Sequence, residues 1–332
     1  MATNSATTTE SGLNTPLAFF MYNRPETTAR VFAEIARARP RQLFVVADGP
    51  RPHRPGEAER CAAARAIVEQ VDWPCQVLKN YAPANLGCRR RLASGLDWVF
   101  ETVEEAILLE DDCLPHPTFF RFCEELLARY RDDQRVMHIG GDNFQFGRHR
   151  INASYYFSRY PHIWGWATWR RAWRHYDADL KEWAASPNRA QYLRAIRSPA
   201  EKRFWTKAWE GICRGQIDTW DYQWAFACFA HHGRAIAPGI NLVSNIGFGA
   251  RSTHTVDHSF VADLSVEAMR FPLNHPETLI LDEAADEHTR RLFFTRPTAA
   301  ERAANQAGKL LWKALAHTRP APTRKTPRKN DL

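Results

Sequence analysis

The sequence predicts an α/β protein with a mostly parallel, Rossmann-like sheet and helices on both faces. Three observations point there. Short, nearly unbroken apolar runs recur at 17–21, 43–46 and 107–109, as strands buried on both faces require. The segments between them carry apolar residues at helical spacing. The two kinds alternate from residue 16 to about residue 143, a βαβαβα rhythm typical of parallel crossover units.

The elements follow in order. After the first strand, Pro25 opens a helix, where a proline at the first turn forfeits no hydrogen bond. Val31, Phe32 and Ile35 share one face of it. The second strand stops at Ala47-Asp48-Gly49-Pro50; an alanine-rich helix over 57–71 and a third strand at 76–78 come next. Leu92, Leu96, Val99 and Phe100 mark a helix over 89–101 before the strand at 107–109. Phe119, Cys123, Leu126, Leu127 and Tyr130 mark another helix, and 136–139 a further strand ending in Gly140-Gly141-Asp142-Asn143. Beyond residue 150 the pattern turns helical and tryptophan-rich, with an apolar helix over 221–232 that Gly233 is placed to end. Residues 1–15, rich in Thr, Ser and Asn, are expected to be a disordered leader. Residues 16–300 are expected to form a single domain with halves at 16–150 and 151–300, and 301–332 a basic tail.

Composition narrows the class. A hydrophobic fraction of 44% over 332 residues supplies a sizeable core. The net charge of +8 favours anionic partners such as phosphates or an acidic membrane surface, at most as a weak contact. No nucleic-acid reader motif accompanies that charge, so nucleic acid is not expected as a partner. Seven scattered cysteines without a close pair suggest reduced thiols and a cytoplasmic setting, including the inner face of the membrane. No apolar stretch approaches membrane-spanning length.

Chemistry is expected where strands end, because open α/β sheets bind ligands at their carboxyl edge. Ile107-Leu108-Leu109 runs straight into Glu110-Asp111-Asp112. Three adjacent carboxylates repel and need a cation; Mg²⁺ or Mn²⁺ suits such oxygen ligands and bridges them to phosphates. Asn23 and Arg24 follow the first strand and Asp48 the second, where a carboxylate fits the N3–H of uracil. Arg89, Arg90 and Arg91 open a helix, a placement that a bound polyanion would relieve. Trp164, Trp166 and Trp169 cannot share one helix face; a substrate-facing loop and a packed aromatic joint both fit. Among Asp218-Thr219-Trp220-Asp221, one acid suits an N-cap and the other, desolvated by tryptophan, a general base. Gly247 and Gly249, followed by Ser252, Thr253 and His254, suit a loop over a pyrophosphate, with His254 on metal or phosphate.

In this order the residues resemble glycosyltransferases of the GT-A fold, nearest the inverting N-acetylglucosaminyltransferase I family and bacterial family 2-like glycosyltransferases. The matching segments are Arg24-Pro25-Glu26-Thr27-Thr28-Ala29-Arg30, Val45-Val46-Ala47-Asp48-Gly49, Arg91-Leu92-Ala93-Ser94-Gly95, Glu110-Asp111-Asp112 with Pro117-Thr118-Phe119-Phe120, and Trp220-Asp221-x-x-Trp224. The resemblance implies a GT-A type sheet with a helical, Trp-rich acceptor-side region. It implies Asp112 as metal ligand, Glu110 and Asp111 near donor ribose and sugar, Arg24 and Asp48 on the nucleotide, and Asp221 as base. The family motif has a second Asp where Tyr222 stands, which keeps Asp218 in play as the base.

The function expected is a metal-dependent, inverting hexosyl- or N-acetylhexosaminyltransferase using a nucleotide-sugar, UDP-linked, and a glycan or lipid-linked acceptor. Mn²⁺ or Mg²⁺ is its cofactor. Asn23, Arg89 and Arg91 join the nucleotide-sugar contacts, His254 joins the metal, and Trp164, Trp166 and Trp220 stack on sugar. Alternatives are a nucleotidyltransferase acting on sugar phosphates, which would want a Gly-rich loop where Tyr22-Asn23-Arg24-Pro25 stands, and a non-catalytic glycan-binding protein.

Overall fold

Strand alternation sets the architecture. In β1 (Leu17–Met21), Leu17, Phe19 and Met21 enter one apolar cluster, while Ala18 and Phe20 enter another on the opposite face. β2 (Gln42–Ala47) divides its residues the same way, so the sheet is buried on both sides. This computed structural model describes residues 12–149, 151–248 and 261–294.

The first half follows the predicted rhythm. α1 (Pro25–Ala38) and α2 (Glu57–Val68) lie on the first face. They are followed by β3 (Gln76–Tyr81), α3 (Cys88–Thr102), β4 (Glu105–Glu110), the short β5 (Cys113–Pro115), α4 (Thr118–Arg129) and β6 (Val136–Gly140). α4 shares the face of α1, and α3 packs on the opposite one. β3, β2, β1 and β4 are neighbours in that order and all parallel. Phe20 is paired with Glu110 and Met21 with Ala47, so Tyr22, Asp48 and Asp111 emerge on one rim.

The second half differs from expectation. Where a largely helical region was predicted, four strands appear: β7 (Tyr155–Ser158), β8 (Trp166–Trp169), β9 (Arg234–Pro238) and β10 (Val243–Asn245). Each has only three to five residues, too few to show a period of two. β8 slots between β4 and β6, antiparallel to both, and the sheet ends in β9 and β7. One eight-stranded sheet therefore joins both halves. The expected helices are also present: α5 (Arg170–Trp173), α6 (Lys181–Ala185), α7 (Pro199–Cys213), α8 (Asp221–Ala230) and α9 (Glu283–Phe293). Trp183, Trp205 and Trp209 pack with Phe226 and Phe229 in a separate aromatic cluster.

Packing also begins earlier than expected. Leu13 is buried, and its N–H donates to the Ala38 carbonyl at 3.0 Å. Thr15 is buried and donates to Glu124. The segment read as a leader therefore belongs to the core from Leu13 onward, anchored by its backbone hydrogen bonds; residues 1–11 and the 301–332 tail lie outside the described residues.

Candidate active site

The rim is built from the ends of β1, β2 and β4. Asp111 is buried and accepts the Tyr22 N–H at 2.9 Å, clamping the end of β1 to the end of β4. Asp112 turns toward Arg24, whose Nη1 donates to Asp112 Oδ2 at 2.6 Å and stands 3.9 Å from Asp111 Oδ1. Burial opposes the Arg24 charge, but Asp111, Asp112 and Glu110 outweigh it and raise its pKa. The crowded acids thus have a cation from within the chain. The Glu110 carboxylate accepts no hydrogen bond among the described residues; desolvation, and then Asp112 and Asp111, push its pKa up. Asp111 is likewise raised by burial, with Arg24 opposing.

A second element closes on this pair. β10 runs antiparallel to β5, pairing Asn245 with Cys113, and the Ile246 N–H donates to the Asp112 carbonyl at 2.8 Å. The chain then passes so close that a Cβ on Gly247 would collide with the Asp112 carboxylate and lie 2.7 Å from Arg24 Nη1. Glycine is what lets backbone approach that closely. Gly247 of the expected glycine loop therefore reaches the acids; Gly249, Ser252, Thr253 and His254 lie outside the described residues.

Asp221 arrives from the opposite face, as the first residue of α8. The Thr219 hydroxyl donates to its Oδ1. Its charge is felt by Glu110, Cys88 and Tyr176, which puts it within electrostatic range of the rim. Asp218 does not cap α8: Trp220 occupies that position and no side chain caps the helix. Asp218 is exposed instead and pairs with Arg89 at 3.4 Å, tying the loop before α8 to the start of α3.

Several expected ligand contacts prove to be internal. Asp48 is buried, and its oxygens accept from Gly49 N at 2.8 Å, Leu86 N at 2.9 Å, Asn85 Nδ2 at 2.9 Å and Gly87 N at 3.2 Å. With four donors already in place, it shapes the 85–87 turn and has little capacity left for a uracil N–H. Arg91 is buried, and its Nη2 donates to the Asn80 carbonyl and side chain at 2.6 and 3.0 Å, which turns it away from ligand. Asn23 donates to Glu57 of α2 at 3.0 Å.

The tryptophans divide. Trp166 and Trp220 are each 2% exposed and stack on one another, 5.5 Å between centroids at 19°. Trp166 also stacks on His138 at 5.1 Å. Stacking on sugar requires an open ring face, so these two form an aromatic joint rather than a ligand platform. Trp164 is half-buried and packs against Phe144 and against Phe248, the neighbour of Gly247. It alone of the three borders the loop over the acids.

Behind the joint, His138 is fully buried. It accepts from Trp224 Nε1 at 3.1 Å, and its Nε2–H donates to the His162 carbonyl at 2.7 Å. Burial lowers its pKa to about 3, which keeps it neutral. No local pattern marks this network, because its partners lie 24 and 86 residues away. Asp142 was also overlooked as a rim acid. It follows β6 and is buried, with Oδ1 lacking a partner among the described residues and Oδ2 accepting the Trp164 N–H; burial raises its pKa to about 8. Its signal was a strand-end acid, the same one that drew attention to Asp48.

Among the described residues, no group of three or more His, Cys, Asp or Glu is arranged to hold a metal by itself. The all-oxygen rim nonetheless fits Mn²⁺ or Mg²⁺, which such sites bind through one or two carboxylates completed by phosphate. A cavity of about 510 Å³ lined by Arg159, Glu201, Asp286 and Arg290 contains none of the expected site residues, and Arg159 and Asp286 pair there at 2.8 Å.

No protein-family model matches the chain, and no curated protein matches it in sequence. Solved structures show a distant likeness, three of them as follows. One is a mannosyltransferase from Pyrobaculum calidifontis in complex with GDP-Man and Mn²⁺, at 14% identity and TM-score 0.36, covering 50% of this chain and 48% of that one. The second is a UDP-glucose pyrophosphorylase complexed with UDP-glucose, at 10% identity and TM-score 0.33, covering 68% and 90%. The third is the galactosyltransferase LgtC in complex with donor and acceptor sugar analogues, at 11% identity and TM-score 0.31, covering 64% and 70%. The chain spans about half the length of the mannosyltransferase.

Proposed function

We propose that this chain is a metal-dependent glycosyltransferase of GT-A type. It transfers a hexosyl or N-acetylhexosaminyl group, with inversion, from a UDP-linked donor to a glycan or lipid-linked acceptor. One observation carries the proposal: a carboxylate cluster at a parallel-sheet edge, a glycine loop in contact with it, and a separate acid within electrostatic range. The first two suit a diphosphate leaving group, and the third suits an incoming hydroxyl.

Mn²⁺ or Mg²⁺ held by Asp112 would supply electrostatic stabilisation to the departing diphosphate. Glu110 and Asp111 line the donor side. Asp221 accepts the proton of the acceptor hydroxyl as its oxygen bonds to the anomeric carbon and the bond to diphosphate breaks. General-base help of this kind contributes about 10²- to 10⁴-fold. Arg89 faces the donor from the start of α3, where helix N–H groups also favour anions. Trp164 is the remaining candidate for packing on sugar.

Location follows from charge. Residues 301–332 hold eight Lys and Arg against two acids, so six of the eight net positive charges lie there. Such a segment favours weak contact with an anionic membrane surface, where a lipid-linked acceptor would be found. No helix among the described residues is long and apolar enough to cross a membrane.

The test is thermal stability with a panel of nucleotide-sugars, with and without Mn²⁺. A UDP-sugar together with metal should raise Tm, and Asp112→Asn should remove most of that rise. Equal stabilisation of wild type and variant would exclude the rim as the donor site.

A further inference from the structure

The contact that satisfies Asp112 here is also the one a divalent ion would need. Arg24 Nη1 sits 2.6 Å from Asp112 Oδ2. Cys113 Sγ lies against the other oxygen at 3.6 Å. Gly247 lies against the Arg24-paired oxygen so closely that a Cβ there would collide with Asp112 Oδ2. A guanidinium held at 2.6 Å and a small dication compete for that oxygen, and the Gly247 backbone beside it limits how far the carboxylate can turn.

The Arg24 backbone is also fixed. Its carbonyl accepts the Thr28 N–H at 2.9 Å and the Thr28 hydroxyl at 2.7 Å, which anchors it at the start of α1. Only its side chain is able to move. A released guanidinium would stand beside the α1 N-terminus, where helix dipole and charge together favour an anion, and guanidinium matches phosphate oxygens as well as carboxylate ones.

We infer that Arg24 is a resident counter-cation that a divalent metal must displace from Asp112, and that the displaced side chain then binds the diphosphate of the donor. This rests on the proposed donor site and assigns Arg24 two successive partners. Arg24 is a donor-contacting residue in this scheme. Its consequence is thermodynamic: metal alone binds weakly because it must break an ion pair, whereas the nucleoside diphosphate gives the guanidinium a new partner. Each ligand therefore favours the other.

The experiment measures Mn²⁺ affinity of the full chain from the loss of the free-ion electron paramagnetic resonance signal, with no sugar present. Arg24→Met should bind Mn²⁺ alone at least about tenfold more tightly than wild type, since a close charged hydrogen bond no longer competes. Asp112→Asn should abolish that binding in either background. With Mn²⁺ saturating, UDP should bind Arg24→Met about tenfold more weakly than wild type. Equal or weaker Mn²⁺ binding by Arg24→Met overturns the inference, as does absence of binding by both proteins. Should Arg24→Met unfold from repulsion among its acids, refolding on addition of Mn²⁺ supports the exchange and failure to refold refutes it. No arm uses transfer activity, so a chain inactive with every nucleotide-sugar could still show the exchange, and an active chain could lack it.

Discussion

The acidic rim and the aromatic joint behind α8 are built on opposite rules. At the rim, Glu110, Asp111 and Asp112 crowd together with Arg24, and the Glu110 carboxylate accepts no hydrogen bond among the described residues. In the joint, His138 uses both ring nitrogens, Trp224 donates to it, and Trp166 stacks on His138 and Trp220. A buried polar network that is fully satisfied rigidifies its surroundings; one left short of partners lowers stability until a ligand completes it. The contrast separates residues that await a ligand from residues that hold the scaffold still. Asp221 lies between the two, next to Trp220 in the chain and within electrostatic range of Glu110.

The sharpest way to break this division is at Asp221. On the proposed role, Asp221→Asn keeps the shape and removes the base. Turnover should fall by about 10²- to 10⁴-fold while donor binding and Tm stay near wild type. The check is steady-state transfer alongside a melting curve. Unchanged turnover would take Asp221 out of the mechanism. A large drop in Tm would place it in the joint instead.

The joint makes the opposite forecast. Trp224→Phe keeps a ring among Trp166 and Trp173 but removes the indole N–H and leaves His138 Nδ1 without its donor. A buried acceptor left unpaired costs about 1–3 kcal/mol. Chemical denaturation should show that loss, with donor affinity per folded molecule unchanged. A selective loss of donor binding at full stability would mean that the joint is part of the ligand site after all.

The same contrast explains what the sequence disclosed. Among β1 to β4, β1 lies beside β2 and β2 beside β3, with β4 on the other side of β1, and each strand has five or six residues. Periodicity therefore revealed both the fold and the rim, including Asp111 and Asp112. It missed how saturated Asp48 is, because three of its donors come from residues 85–87, on a turn after β3 that strand-end logic does not see. In the second half, β8 must cross to lie between β4 and β6. Trp166 and Trp169 mark that strand chemically, but four residues show no period, and an aromatic cluster reads equally as a loop or a joint. His138 was silent because only tertiary contacts give it partners.

Glu110 sharpens the comparison with a change of sign. Most substitutions in a packed joint destabilise, but removing a charge from an undersatisfied site should stabilise the ligand-free protein. Burial and the neighbouring acids raise the Glu110 pKa to about 8. A carboxyl whose pKa is higher in the folded state than in the unfolded one favours folding at low pH. That contribution is lost progressively as pH rises from the ordinary glutamate range, near 4.3, toward the folded value. Glu110→Gln carries no such penalty. Its Tm should match wild type near pH 4, exceed it increasingly as pH rises toward about 8, and stay ahead above that. Saturating Mn²⁺ and a nucleoside diphosphate should reverse the order, since wild type then gains a cation that the glutamine attracts less. A variant less stable than wild type at pH 8 without ligand would show that Glu110 is already satisfied, and the rim would then resemble the joint.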